Sequence, residues 1–204
     1  RLNLLEDNLP RPCSRLAKVI GTSVMFIFGW KKAGNIPRHK NVVVIAAPHT
    51  SNWDFIFLIA AAYSFGFSIN WLGKDSLFKT PLSPIFRFLG GIPVNRSEPG
   101  NLVKTITDRI KEDLGIAIVV PPSGTRKKTD YWKSGFYRIA QTAKIPIVCG
   151  YLDYKKKEAG LGPSFFPTDL ISDMNFLRNF YSKITAKYPS KKSLIRLKDE
   201  NQNL

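Results

Sequence analysis

His49 and Asp54, with four residues between them, follow directly on the Asn-Val-Val-Val-Ile-Ala-Ala run of residues 41–47 and are the pair in this chain best suited to moving a proton. The β-branched run has the character of a strand buried on both faces, and Pro48 ends it. In open α/β sheets, ligands bind at loops on the carboxyl ends of strands, which places His49 in a strand-to-helix turn. Asp54 then falls in the first helical turn, from where it reaches back to one imidazole nitrogen. A carboxylate there fixes the tautomer, leaves the other nitrogen free to take a proton, and stabilises the imidazolium that forms. Such a base needs no Ser or Cys of its own, because a substrate hydroxyl, once deprotonated, can attack a thioester carbonyl directly. The same residues admit a plainer reading, in which His49 caps the helix or bonds its own loop and Asp54 satisfies free helix amides. The only other histidine is His39, so a metal site lacks ligands and no metal is expected.

Two further loops each place an arginine just after a predicted strand. They are Gly90-Gly91-Ile92-Pro93-Val94-Asn95-Arg96 and Pro121-Pro122-Ser123-Gly124-Thr125-Arg126. The planar guanidinium fork suits bidentate contact with phosphate, and glycine lets a ligand approach the backbone. Two such loops could clamp one phosphate. Each arginine taken singly also reads as a surface charge, and neither loop has the spacing of a nucleotide-binding P-loop.

Other elements must hold these loops in place. Residues 69–72, 91–95, 116–120 and 145–152 read as further strands, and residues 55–67, 102–114, 136–143 and 174–187 as helices, with helical turns over 75–89. In residues 102–114 the apolar positions Leu102, Ile106 and Ile110 share one face. Strands alternating with helices give an α/β fold with a mainly parallel or mixed sheet flanked by helices. Residues 16–30, LAKVIGTSVMFIFGW, lie between Arg11 and Arg15 on one side and Lys31 and Lys32 on the other. The run is short for a bilayer crossing, which needs about 20 residues. Its aromatic end and basic flanks suit an amphipathic helix lying in the headgroup region, and a buried core helix is the competing reading. The chain therefore divides into an N-terminal membrane-associating helical segment, 1–40, and an α/β domain, 41–204.

Of the 204 residues, 31 are Lys or Arg and 15 Asp or Glu, a formal net charge of +16 that favours anionic partners. Nucleic acid is not expected, since aromatic and basic residues are not interleaved in a binding motif and no helix-turn-helix or zinc spacing is present. Cys13 and Cys149 match no ligand spacing and read as reduced thiols in a cytosol-facing protein, with Cys149 in the core.

The ordered set of His-x4-Asp, Gly-Gly-Ile-Pro-Val-Asn-Arg, Gly-Thr-Arg and Ile-Pro-Ile-Val closely resembles the four blocks of the glycerolipid acyltransferases, the lysophosphatidic acid (1-acyl-glycerol-3-phosphate) acyltransferase superfamily. The likeness spans about residues 41–154. It implies that His49 and Asp54 are catalytic, that Arg96 and Arg126 bind an acceptor phosphate, and that Ser123, Gly124 and Thr125 shape its pocket. Gly73-Lys74 resembles the segment between the first two blocks, making Lys74 a further contact for anionic substrate or else an exposed lysine. The implied reaction carries a fatty acyl group from acyl-CoA or acyl-carrier protein to a hydroxyl of a lysophospholipid-like acceptor, with no cofactor, at the cytoplasmic face of an anionic membrane. In one respect the chain departs from the family, whose third block reads Pro-Glu-Gly-Thr-Arg. Ser123 stands at the glutamate position, which keeps a different acceptor open, a glycolipid or an aminoacyl lipid, and with it a non-catalytic lipid-binding role.

Overall fold

The computed structural model describes residues 10–94, 99–111 and 115–201. Seven strands form one sheet in the order β1-β7-β6-β2-β5-β3-β4. They are β1 (Lys31–Gly34), β2 (Val42–Ala46), β3 (Asn70–Lys74), β4 (Gly91–Val94), β5 (Ala117–Val120), β6 (Ile147–Asp153) and β7 (Glu158–Phe165). All neighbours run parallel except β6 and β7, so the expected mainly parallel α/β fold is what the chain adopts. Among the described residues, six α-helices flank the sheet: α1 (Arg15–Ile27), α2 (Trp53–Phe65), α3 (Ser83–Phe88), α4 (Pro99–Lys111), α5 (Gly135–Ala143) and α6 (Leu170–Ser182).

Side-chain alternation along the central strands builds a core on each face of the sheet. Val43, Ile45, Ile118 and Ile147 pack with Ile106 of α4, Phe136 and Ile139 of α5, and Met174 and Leu177 of α6. Val42, Val44, Ala117 and Val119 face the other way, against Ile59 and Ala62 of α2 and Trp71 of β3. Burial on both sides explains why β2 and β5 are almost wholly β-branched or small. α1 lies antiparallel on the outside of α2: the Cys13 Sγ–H donates to the Tyr63 carbonyl at one end, and Phe28 meets Phe57 at the other. Gly21 makes this close approach possible, since a Cβ there would fall 2.6 Å from the Ala60 carbonyl oxygen.

Two strands depart from the pattern read in the sequence. β1 pairs with β7, and β7 returns antiparallel along β6. Neither has a strand-like sequence: Lys-Lys-Ala-Gly and Glu-Ala-Gly-Leu-Gly-Pro-Ser-Phe are rich in residues that weaken β propensity. The last helix also begins earlier than expected, at Leu170, because the Asp169 side chain caps it by accepting from the Ser172 amide at 2.8 Å. It ends at Ser182, short of residue 187.

Candidate active site

The turn from β2 into α2 carries both halves of the predicted pair. His49 Nδ1 lies 3.2 Å from Asp54 Oδ2, which leaves Nε2 as the imidazole nitrogen free for substrate. Oδ2 also accepts from the Thr50 amide at 2.7 Å and the Ser51 amide at 2.9 Å, while Oδ1 accepts from the Tyr154 hydroxyl at 2.6 Å. Asp54 thus satisfies amides of the turn, as the plainer reading expects, and also faces the imidazole. At 5% exposure it is buried, and burial alone would push its carboxyl upward; hydrogen bonds from His49, Tyr154 and the two amides outweigh that and hold it below the usual carboxylate range. Tyr154 moves the opposite way, raised by burial and by its bond to Asp54.

His49 and Asp54 line a cavity of about 730 Å³ between the sheet and α2. Its walls are mainly apolar, with Phe55, Ile56, Leu58, Trp71, Leu77 and Phe86 among them, and its polar side chains include Lys74, Thr125 and Arg126. Greasy walls with a few convergent polar groups are the usual make-up of a small-molecule site. Lys74, at the end of β3, and Arg126 are both exposed to solvent, and neither has an ion-pair partner among the described residues. Gly124 also lines the cavity and takes a left-handed conformation, φ 64°, that favours glycine in this turn. Among the described residues no three His, Cys, Asp or Glu side chains cluster as metal ligands would.

The remaining predicted positions behave differently. Ser123 is buried at 7% exposure, its hydroxyl donates to the Thr125 carbonyl at 2.8 Å, and it borders a separate void of about 10 Å³ behind His49 rather than the large cavity. Lys192 shares that void and donates to the carbonyls of Tyr181 and Ile184, its burial lowering its pKa. Arg96 lies outside the described residues. Tyr154 is the site residue that sequence reading missed. It sits 100 positions from Asp54, directly after a correctly read strand, and no local spacing could signal the contact.

A parallel-rich α/β sheet that sets a histidine and an aspartate over an apolar cavity at the carboxyl ends of its strands belongs to a recognisable class of enzymes. The acyltransferase family model matches residues 30–152, more than half of the sequence, and the chain belongs to that family. Among solved structures it is similar to the 1-acyl-sn-glycerophosphate (LPA) acyltransferase PlsC from Thermotoga maritima, at 18% identity and a TM-score of 0.51, over 83% of this chain and 75% of that one. At that identity the likeness speaks for the fold. No curated protein matches the chain.

Proposed function

We propose that this acyltransferase moves a fatty acyl group from a thioester, acyl-CoA or acyl-carrier protein, to a hydroxyl of a lysophospholipid-like acceptor of the 1-acyl-glycerol-3-phosphate type. The observation that carries the reading is the His49–Asp54 contact at 3.2 Å on the wall of a largely apolar cavity that also presents Lys74 and Arg126. The acyl chain lies against the apolar walls, and the two cations, with Arg96 by family likeness, hold the acceptor's anionic head. His49 Nε2 takes the proton of the acceptor hydroxyl, and the oxygen attacks the thioester carbonyl. As the tetrahedral intermediate collapses, the new C–O bond stays, the C–S bond breaks, and the imidazolium returns its proton to the departing thiolate. Asp54 stabilises the imidazolium between the two transfers. Incubation with labelled acyl-CoA and a panel of lysolipids, read by mass spectrometry, tests this; acylated 1-acyl-glycerol-3-phosphate is the expected product. Acylation of only a glycolipid or aminoacyl lipid would replace the acceptor, and no acyl transfer to any lipid would sink the reading.

The reading includes work at a membrane surface. No helix among the described residues is long and apolar enough to cross a membrane. α1, however, turns Leu16, Val19, Ile20, Phe26 and Ile27 outward, each at least half exposed, and on α3 Phe88 is 84% exposed. Spacings of three and four put the α1 residues on one face, and Arg15, Lys31 and Lys32 flank it, as an interfacial helix requires. Replacing Phe26 and Ile27 together by Glu should weaken binding to anionic vesicles about tenfold or more. Unchanged binding by that variant would leave α1 without this role.

A further inference from the structure

Asp54 has two carboxylate oxygens, and the pairing with His49 uses one. Three donors converge on Oδ2: the imidazole and the Thr50 and Ser51 amides. Left with nothing on Oδ1, the carboxylate could pivot about its Cβ–Cγ bond and concentrate its charge on the oxygen facing the imidazole. Among the described residues the group bonded to Oδ1 is the Tyr154 hydroxyl, which donates at 2.6 Å from a strand end far away in sequence.

Everything around Tyr154 aims that hydroxyl. Its backbone amide donates to the Thr185 carbonyl at 2.9 Å, and the turn beyond it is folded by Asp153, whose Oδ1 accepts from the Lys155 and Lys156 amides. The ring is held edge-on to Trp30 at 4.9 Å and to Phe57 at 6.3 Å, and the Lys187 ammonium lies 5.6 Å from its centroid. Phe57 belongs to α2, the helix that bears Asp54, so ring and carboxylate are registered to one rigid element. A phenol fixed by packing on several sides, with its oxygen on a buried carboxylate, is pre-organised rather than incidental.

We propose that Tyr154 is a positioning residue for the acyl transfer: its hydroxyl locks the Asp54 carboxylate with Oδ2 toward His49 and draws negative charge onto Oδ1, so the imidazole is aimed yet readily returns to its neutral, proton-accepting form. This rests on the reading of His49 as general base. Among the described residues, the other charged and titratable groups facing this pair are Lys74 and Arg126 across the cavity, Lys192 behind His49, and Lys187 and Tyr188 beside Tyr154. All of them remain when Tyr154 becomes Phe.

The test exploits a sequence with two histidines. In the full chain carrying 13C-histidine, NMR titration reports His49 and His39 separately, with His39→Gln giving the assignment. In Tyr154→Phe the His49 midpoint should move to higher pH by roughly half to one unit, because a carboxylate stripped of one donor stabilises the imidazolium more. His39 should not move. With acyl-CoA and 1-acyl-glycerol-3-phosphate, kcat should fall about five- to tenfold, the scale of one lost hydrogen bond, with KM little changed. Coincident His49 titrations in the two proteins would overturn the proposal. The titration needs no substrate, so absence of acyl transfer by the unaltered enzyme would count against the functional reading without obscuring the result for Tyr154.

Discussion

Two loops meet at the cavity, and they are built in opposite ways. In the turn after β2, Thr50, Ser51 and Asp54 are all at most 6% exposed, and the Asp54 carboxylate receives donors on both oxygens. In the turn after β5 the Gly124 amide donates to the Pro121 carbonyl at 3.0 Å, the Ser123 hydroxyl donates to the Thr125 carbonyl, and the Lys133 amide donates to the Pro122 carbonyl at 2.8 Å. Its Arg126 stands exposed with no bonding partner among the described residues. The first loop is arranged before substrate arrives, as proton transfer demands, because a misplaced base forfeits much of its effect. On the proposed mechanism the second keeps its cation free to follow an acceptor, so that chemistry falls to one loop and recognition to the other.

The largest effect should come from the pre-arranged loop. On the proposed mechanism His49→Ala removes the base, and it should lower transfer by about 10²- to 10⁴-fold. Its side chain is partly exposed and its polar contact is with Asp54, so thermal unfolding, followed by circular dichroism, should stay close to the parent's. Turnover retained in this variant would break the comparison outright. Arg126→Ala should do less and do it differently. Loss of a charge-assisted contact should raise KM for an anionic acceptor about 10- to 100-fold with kcat nearly unchanged, and an exposed side chain takes little stability with it. A fall in kcat at constant KM would instead make Arg126 part of the chemical step.

The same division decides what could be read in advance. β2, β5 and β6 are legible because burial on both faces demands apolar, largely β-branched runs, and the dyad is legible because His49 and Asp54, with four residues between them, lie around a single turn. β7 and β1 are not, since Gly160, Gly162 and Pro163 contradict a strand and only pairing along β6 makes one. α1 is legible as amphipathic, but which face it turns outward depends on Gly21 against α2, a contact made across the chain. Tyr154 was hidden for the same reason: its partner is distant in sequence, and strand-end tyrosines are common. The departure at Ser123 was visible as a residue type, while the direction its hydroxyl takes was not.

That direction makes the smallest prediction and the sharpest one. A glutamate in the family's third block would bring charge to the acceptor, and a serine at the same position invites the expectation that its hydroxyl does so more weakly. Here the residue is 7% exposed, its hydroxyl is spent on the Thr125 carbonyl, and it borders the small void it shares with Lys192 rather than the large apolar cavity. Ser123→Ala should therefore cost about 1 kcal/mol of stability, measured by urea unfolding, since one part-buried carbonyl loses its donor. Acceptor KM should change by less than about twofold, well under the effect expected of Arg126→Ala, because no contact with substrate is removed. If KM instead rises as far as it does for Arg126→Ala, the hydroxyl must turn toward the acceptor when it binds. The loop after β5 would then be one that rearranges on binding, and its free arginine would be a sign of that motion rather than of a site already waiting.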